Sequence, residues 1–441
     1  MEAYTARVVR LGPVLGASLF AWPGVAAASQ VDPNDLPYAH ANLTFGAALA
    51  GDGEQLAVGA PGDNEAGFNA GAVHIYTRDG EDWALRQVLR PESGAYQDFG
   101  SALALDGDTL LVGGAEPLAD GGSRGVGHLY ETEDGEFVPR ERWVLDEDAS
   151  LGYLGISVAL DGDTLALGAY LAITTPTTRG GRIRVVHRAG GAWVEEADLR
   201  AEPGQLLGES LALNGEWLFA AADFGARVAV YRRDAGGEWR AQADLELPDA
   251  GSFDGAGALV SDDGALVMAD GKFPRLYFYG LEDGGWRQRD TVDFDGDEHS
   301  NGYGEALAIG GGRVAYTTTR ENFDPVFSDV ETVHMLRREV EGWVDDGEVS
   351  LAVDDHNLRE AFGGVLALAG DWLIAGAPEY GEHGWERSGR AHTFAGGGGT
   401  WTQSQVLVPD DALVEGCGCR GATVPGWCVL LLVLPRRRRK P

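Results

Sequence analysis

Short apolar stretches alternate with glycine-rich turns along most of the chain, and the same arrangement recurs seven times. Each unit begins with a glycine, which is followed three residues later by Leu or Val and then by Ala or Ser. The starting glycines are Gly46, Gly100, Gly155, Gly208, Gly257, Gly304 and Gly363. Side chains alternate between the two faces of a strand, so a constant Leu or Val beside a small residue predicts a strand packed on both faces.

The remainder of each unit predicts three more strands. A turn glycine, preceded by Asp in four units, supplies the positive φ of a tight hairpin. A second apolar run and a third strand follow, and the fourth strand opens with an aromatic residue. These aromatic residues are Trp83, Phe137, Trp193, Trp239, Trp286, Trp343 and Trp401. We expect all seven to be buried between neighbouring blades. The pattern predicts an all-β fold, a seven-bladed β-propeller of four-stranded antiparallel blades. An open β-solenoid is the alternative, which the tight hairpins disfavour.

Three of the units share a more specific phrase. Phe-Gly at the start is followed by Gly-Ala or Gly-Gly-Ala at the end of the second strand, in units 1, 2 and 7. These phrases resemble the FG-GAP repeats of integrin α-chain propellers and of many exported bacterial proteins, over roughly residues 45–407. The resemblance implies recognition of a protein or glycan.

The resemblance also implies calcium binding, but the residues of this chain do not favour a calcium site. Integrin-type repeats often carry an Asp-rich loop between the first and second strands, where this chain has only a short turn. Ca²⁺ requires about six to eight oxygen ligands. The one cluster elsewhere is Asp293, Asp295 and Asp297, which lacks the later ligands of a calcium loop. We therefore expect no cofactor and no tight calcium site, and interpret this cluster as a solvated acidic linker.

Both ends of the chain have the features of processing signals. Residues 1–28 combine Arg7 and Arg10, an apolar run and small residues up to Ala28, which predicts a secretory signal peptide cleaved after Ala28. Residues 29–416 form the predicted propeller. Residues 417–441 contain Cys417 and Cys419, a short apolar stretch and an arginine cluster. This tail resembles the MYXO-CTERM sorting signal, which implies processing near the cysteines and retention at the bacterial surface.

Composition agrees with export and limits the classes of partner. The chain carries a formal charge of −35, so its surface repels nucleic acid and anionic lipid. The three cysteines all lie in the tail, and a body of this length can bury a sufficient core without disulfides. We expect a monomeric propeller that meets the membrane only through its tail and binds an extracellular protein or glycan. Solubility alone would also account for the acidic surface.

The lengths of the links between strands predict where a ligand would bind. The link from the second to the third strand varies among the units and is shortest in units 4 and 5, whereas the link from the third to the fourth is nearly constant. In a blade the variable link emerges on the same face as the connection to the next blade. Function concentrates in variable loops on a rigid scaffold, so this face is the predicted binding surface. Drift in unimportant loops is the alternative.

A search for catalytic residues finds no familiar motif. Four histidines, His74, His128, His334 and His392, share one position of the third strand, and we interpret them as packing residues between blades. No nucleophile elbow, zinc-protease motif or phosphate loop is present. The sequence therefore predicts no catalytic residue and a non-enzymatic binding or adhesion module. The alternatives are a polysaccharide-degrading enzyme that uses carboxylates on the variable face, and a structural surface-layer component.

Overall fold

A computed structural model describes residues 43–91, 98–117, 123–144, 155, 157–170, 172–175, 178–222, 227–246, 258–262, 264–269, 275–293, 303–320, 330–340, 342–351, 361–380 and 388–409. These residues form seven sheets, each built on four antiparallel strands, and one additional hairpin. None of the described segments is a helix long and apolar enough to cross a bilayer. The prediction of a seven-bladed all-β propeller is confirmed.

Successive segments of the chain form successive blades. Blade 1 contains β1 (Ala48–Asp52), β2 (Gln55–Ala60), β3 (Ala72–Asp79) and β4 (Asp82–Leu89). Blade 2 contains β5 (Ala102–Asp106), β6 (Thr109–Pro117), β7 (Ser123–Glu133) and β8 (Glu136–Val144). Blade 3 contains β9 (Ser157–Asp161), β10 (Thr164–Ala169), β13 (Arg182–Ala189) and β14 (Ala192–Arg200), and the hairpin β11 (Ile173–Thr175) and β12 (Thr178–Arg179) is inserted between its second and third strands.

The other four blades repeat this order. Blade 4 contains β15 (Leu211–Asn214), β16 (Trp217–Ala222), β17 (Arg227–Arg233), β18 (Trp239–Ala241) and the short β19 (Leu245–Glu246). Blade 5 contains β20 (Leu259–Asp262), β21 (Ala265–Ala269), β22 (Arg275–Glu282) and β23 (Gly285–Asp293). Blade 6 contains β24 (Tyr303–Gly310), β25 (Arg313–Arg320), β26 (Val330–Glu339) and β27 (Gly342–Ser350). Blade 7 contains β28 (Val365–Ala369), β29 (Trp372–Ala377), β30 (Arg390–Gly397) and β31 (Thr400–Leu407).

The first strands of the blades contact one another in sequence, and β28 contacts β1, so the described strands close a ring around a central axis. Blade 7 takes all four of its strands from residues 365–407. In the sequence, unit 1 starts at its inner strand and unit 7 ends at its outer strand, which predicts that blade 7 packs on blade 1 without exchanging a strand; the described strands agree with this. Of residues 31–44, which an exchanged strand would use, residues 31–42 lie outside the described part of the chain.

A glutamine side chain joins the outer strands across the closing interface. The backbone N–H of Trp83 donates to the Gln405 Oε1 at 2.8 Å, and the Gln405 Nε2 donates to the Trp83 carbonyl at 3.2 Å. Gln87 makes the same pair of bonds to Phe137 between blades 1 and 2, at 2.8 and 2.9 Å. The closing interface is therefore bonded in the same way as an ordinary interface between consecutive blades.

The glycines of the repeated phrase lie where two blades meet backbone to backbone. A Cβ added at Gly376, at the end of the second strand of blade 7, would lie 2.2 Å from the carbonyl oxygen of Gly46, which starts blade 1. A Cβ added at Gly59 would lie 2.1 Å from the carbonyl oxygen of Gly100 in the same way. Real side chains cannot tolerate this approach, so the repeated glycines are required by the packing of blade on blade.

The aromatic residues that open the fourth strands were predicted to be buried between blades. Trp83, Phe137, Trp239 and Trp286 are buried, as predicted. Trp193, Trp343 and Trp401 are only half-buried. Two of these make a polar contact with the preceding blade: the Trp193 Nε1 donates to Glu131 at 2.9 Å, and the Trp401 Nε1 donates to the carbonyl of Asp346 at 2.8 Å.

Candidate functional site

A cavity of about 250 Å³ lies at the propeller axis, where the first strands begin. It is formed by blades 1, 2, 3, 4 and 7. Its lining residues are Ala47, Ala48, Leu49, Ser101, Ala102, Leu103, Ser157, Val158, Glu209, Ser210, Leu211 and Val365. We call it the axial cavity. Its volume lies just below the usual range for ligand sites, which begins near about 300 Å³.

The axial cavity opens on the face that the sequence predicts to be functional. Ala48, at the start of β1, pairs with Gly59 near the end of β2, so both strands have these ends on the same face. The links from second to third strands emerge there. In blade 1 the link spans residues 61–71, and in blade 3 it carries the hairpin of β11 and β12. Along the chain, β16 and β17 of blade 4 are separated by only four residues, and β21 and β22 of blade 5 by only five.

One carboxylate and three hydroxyls provide the polar chemistry of the axial cavity. Glu209 is exposed and is the single charged residue among those that line it. The hydroxyls belong to Ser101, Ser157 and Ser210. The Ser157 hydroxyl donates to the carbonyl of Gly208 at 2.7 Å and so ties blade 3 to blade 4 directly beside Glu209.

Hydrogen bonds fix the backbone on both sides of Glu209. The N–H of Gly208 donates to the carbonyl of Ala221 at 2.9 Å, and the N–H of Ala221 donates to the carbonyl of Ser210 at 2.9 Å. Leu207 forms a bridge with Gly181 of blade 3. Glu209 therefore projects from a rigid strand start, which is the kind of support that a catalytic or binding side chain needs.

Sequence reasoning missed Glu209, although the repeats contain a signal for it. The residue after the starting glycine is Ala47, Ser101, Ile156, Glu209, Ala258, Glu305 or Gly364. Units 4 and 6 carry an acidic residue here, whereas the other five units have a small or apolar one. Only the ring arrangement of the blades shows that this position faces the axis.

The four histidines of the shared third-strand position pack against aromatic rings, as predicted. The ring of His74 lies edge-on to Phe45, that of His128 to Phe99 and that of His392 to Phe362, with centroid distances of 5.1, 5.2 and 5.5 Å. His334 instead stacks on Tyr316 at 5.1 Å. Each phenylalanine belongs to the Phe-Gly phrase of the same blade, so the phrase and the histidine form one packing unit.

Burial lowers the pKa of three of these histidines to about 4. The cause is desolvation, which penalises the charged imidazolium. For His74, Asp63 partly opposes the effect and Arg90 adds to it. For His392, Arg390 adds to it. These imidazoles are therefore neutral at neutral pH and lie between strands rather than in the axial cavity.

The remaining residues that the sequence singled out lie apart from the cavity or outside the described residues. Asp293, at the end of β23, is exposed and forms an ion pair with Arg275. Asp295 and Asp297 lie outside the described residues, as do Ala28, Cys417 and Cys419. Within the described residues, no group of three His, Cys, Asp or Glu side chains is placed to hold a metal ion.

Comparison with known proteins supports the fold and not a family. No family pattern and no curated protein matches the sequence. A protein from Lactobacillus plantarum matches with a TM-score of 0.53 and 15% identity, over 80% of this chain and 96% of its own. A candidate 6-phosphogluconolactonase from Bacteroides fragilis matches with a TM-score of 0.52 and 12% identity, over 82% and 94% of the two chains. A second, from Bacteroides uniformis, matches with a TM-score of 0.50 and 13% identity, over 77% and 92%.

These neighbours correct one expectation. Two of them are named as lactonases, which contradicts the expectation that a propeller of this kind without a familiar motif is not an enzyme. Neither is described as an integrin chain or an FG-GAP protein, so the architecture is supported while the family resemblance stays a prediction. Nothing in these comparisons supports a MYXO-CTERM tail.

Proposed function

We propose that the chain is a carbohydrate-directed hydrolase that opens sugar lactones in the axial cavity, with Glu209 as the general base. The observation that carries the proposal is the cavity itself, which combines an apolar wall, three hydroxyls and one rigidly mounted carboxylate on the variable face. Two structural neighbours are named as lactonases, which agrees with a lactone substrate. Their sequence identity to this chain is low, so the likeness shows a shared fold alone.

The number of carboxylates favours a lactone over a glycoside. Glycosidases generally require two carboxyl groups, an acid and a base or nucleophile, on either side of the scissile bond. Among the lining residues within the described part of the chain, Glu209 is the single carboxylate; Glu305, at the same position of unit 6, has a side chain outside the described part. Hydrolysis of a lactone requires one base and a polar environment for the carbonyl oxygen, which this set of residues can supply.

The proposed reaction uses only water as a second reactant. The Glu209 carboxylate removes a proton from a water molecule while the water oxygen bonds to the lactone carbonyl carbon. The hydroxyls of Ser101 and Ser210 donate to the carbonyl oxygen as negative charge develops on it. The bond between the carbonyl carbon and the ring oxygen then breaks, and the ring oxygen takes the proton from Glu209. The product is the open-chain hydroxy acid, and the carboxylate is regenerated.

Glu209→Gln is expected to lower kcat/KM for an uncharged sugar lactone by about 100-fold to 10,000-fold, because the amide cannot accept the proton of water. Glu202→Gln is the matched control, since Glu202 is an exposed glutamate on the same link between blades 3 and 4 and does not line the cavity. The measurement is steady-state lactone hydrolysis by the full chain, corrected for spontaneous opening. Catalysis by Glu209→Gln at the wild-type rate, or no catalysis by the wild type, overturns the proposal.

Recognition of a glycan or protein by the variable face is the second candidate function. Phe68 favours it, since its side chain is 58% exposed on the 61–71 link of blade 1. That link is held by bonds from the Asn69 N–H to the Asn64 Oδ1 at 2.8 Å and from the Gly71 N–H to the Asp63 carbonyl at 2.9 Å. An aromatic ring on a rigid loop is a common contact for a binding partner. A glycan and protein array probed with the full chain tests it, and the absence of any specific signal would reject it.

We also propose that the protein acts outside the cytoplasm as a monomer, with contact to the membrane only through its tail and without nucleic-acid partners. The leader, the cysteine motif and the charge of −35 support this. Mass spectrometry of the mature protein should find Ser29 as the first residue. An intact leader in the mature protein would reject export by this route.

A further inference from the structure

The carbonyl oxygen of a blade's starting glycine lies against the preceding blade. In three blades a glycine of the preceding blade faces this oxygen, and a Cβ added there would lie only 2.2, 2.1 or 2.0 Å away; the oxygens belong to Gly46, Gly100 and Gly155. Two of the described blades add a hydrogen bond from a side chain. The Gly208 carbonyl accepts from the Ser157 hydroxyl at 2.7 Å, and the Gly363 carbonyl accepts from the Thr317 hydroxyl at 2.6 Å.

The packing of blade on blade does not require the hydroxyl of Ser157. Ser157 is the second residue after its starting glycine, and the corresponding residues of blades 1 and 2 are Ala48 and Ala102. Those two blades pack on the blades that follow them without a hydroxyl at this position. The bond from Ser157 to Gly208 is therefore a feature of the interface that precedes Glu209 and not a general requirement of the fold.

The Gly208 carbonyl belongs to the peptide group that joins Gly208 to Glu209. A peptide group is planar, so a bond to its oxygen fixes the orientation of the plane and with it the direction in which the Glu209 side chain leaves the backbone. Gly208 has a φ of 97°, and glycine is the residue that restricts its neighbouring peptide groups least. The Ser157 hydroxyl therefore restrains a peptide group that the glycine alone would leave free to rotate.

We propose that Ser157 is a positioning residue, which holds the Glu209 carboxylate in the orientation needed to take a proton from water. The inference rests on the proposed function for the role of Glu209 and adds the residue that aligns it. Ser157 uses its hydroxyl proton in the bond to Gly208, so it acts through Glu209 and not on the substrate. A displacement of about 1 Å can cost roughly 100-fold in rate, so the loss of this one bond is expected to lower kcat on the order of 10-fold.

Thr317 provides a matched control at another interface. Its side chain is 5% exposed, whereas Ser157 is half-buried, and its bond to the Gly363 carbonyl is of the same kind. The residue after Gly363 is Gly364, which has no side chain to align. Thr317→Ala should therefore destabilise the fold at least as much as Ser157→Ala and leave kcat unchanged within about two-fold.

Steady-state hydrolysis of an uncharged sugar lactone by full-length variants, with kcat and KM separated, tests the inference. Ser157→Ala should lower kcat by about 10-fold and change KM little, because the substrate loses no contact. In a Glu209→Gln background the same substitution should have almost no further effect, because the carboxylate that Ser157 aligns is gone. A kcat unchanged by Ser157→Ala, an equal loss in Thr317→Ala, or a further loss of about 10-fold in the Glu209→Gln background overturns the inference.

Crystal structures of the wild type and the variants test the positioning without reference to activity. In Ser157→Ala the peptide group between Gly208 and Glu209 should rotate and the Glu209 carboxylate should move by about 0.5 Å or more, whereas Thr317→Ala should leave both in place. A carboxylate that does not move in Ser157→Ala overturns the inference.

The two proposals fail in different ways. A wild type that hydrolyses no lactone, together with a displaced carboxylate in Ser157→Ala, overturns the proposed function and leaves the positioning role of Ser157 standing. A wild type that requires Glu209 for hydrolysis, together with an unchanged kcat in Ser157→Ala, supports the proposed function and overturns the inference.

Discussion

Acidification from pH 7 to pH 4.5 is expected to remove most of the stability of the propeller before its carboxylates are protonated. The pKa values of His74, His128 and His392 are lowered by burial from 6.5 to about 4. As pH falls below about 6.5, each of these histidines takes up a proton in the unfolded chain but not in the folded one. The folded state keeps these three histidines neutral without penalty above pH 6.5, so its stability is complete there. This stability is lost progressively as the pH falls from 6.5 towards 4.

The total effect is large because the three histidines act together. A lowering of about 2.5 units corresponds to about 3 kcal/mol for each histidine once the pH is below both pKa values. The sum of about 10 kcal/mol is comparable with the whole stability of a typical domain, about 5–15 kcal/mol. The three histidines lie in blades 7, 1 and 2, which are neighbours on either side of the closing interface. We therefore expect acid to open the ring there first.

Urea unfolding at fixed ionic strength, followed by circular dichroism at several pH values between 7.5 and 4.5, measures this loss. Near pH 5.5 the slope of stability against pH should correspond to the uptake of about three protons on unfolding. Replacing all three histidines by glutamine should flatten the slope, even if the variant is less stable at pH 7.5. A stability that stays constant between pH 7 and pH 5 would show the assignment to be wrong.

The blades could be predicted from the sequence because their determinants are local and repeated. The turn glycines, such as Gly53 with a φ of 54° and Gly107 with a φ of 53°, have the positive φ that Asp-Gly turns predict. Leu49 pairs with Val58 and Leu103 with Val112, which is the register that the alternation of the strands implies. A pattern that recurs in every unit needs no knowledge of long-range contacts.

The cavity could not be predicted in the same way, because it depends on what the repeats do not share. Glu209 occupies a position that holds Ala47 in blade 1 and Ser101 in blade 2, and its chemistry emerges only when five blades meet around the axis. Periodicity identifies the residues that every blade needs for packing. Glu209 departs from the small or apolar residues of most units and belongs to no familiar motif, so a search for either signal passes over it.

The sequence predicts burial of all seven aromatic residues that open the fourth strands, whereas three of them are only half-buried. The repeat does not show the contacts that each ring makes. Trp193 and Trp401 place their indole N–H groups against polar atoms of the preceding blade, and Arg188 and Arg313 lie over their rings at 5.9 and 5.7 Å. A long arginine side chain packs its stem along an aromatic ring while keeping its charge in water, so an arginine contacts one face of each of these rings. The sequence repeat shows the ring position and not the residue that covers it.

Trp239→Ala is expected to cost about 3–5 kcal/mol of unfolding free energy, the usual range for removing a buried tryptophan. Trp239 is 9% exposed and packs in the core cluster between blades 3 and 4. Its Nε1 donates to the Glu196 Oε2 at 3.0 Å, and Glu196 also accepts bonds from Arg233 at 2.7 and 2.6 Å. The substitution removes both the packing and a donor to this carboxylate across the blade interface.

Two further variants separate these contributions in urea unfolding at pH 7.5, where the buried histidines are neutral in both states. Trp239→Phe keeps most of the packing and loses only the N–H donor, so it should cost about 1.5–3 kcal/mol, the range for a hydrogen bond to a charged group. Arg240→Ala, at the next residue of β18, removes an exposed side chain whose ion pairs with Asp234 and Glu238 contribute little, so it should cost less than about 1 kcal/mol. If Trp239→Ala unfolds at the wild-type urea concentration, Trp239 does not hold blade 4 to blade 3. If Trp239→Phe is as unstable as Trp239→Ala, the bond to Glu196 and not the packing of the ring stabilises this interface.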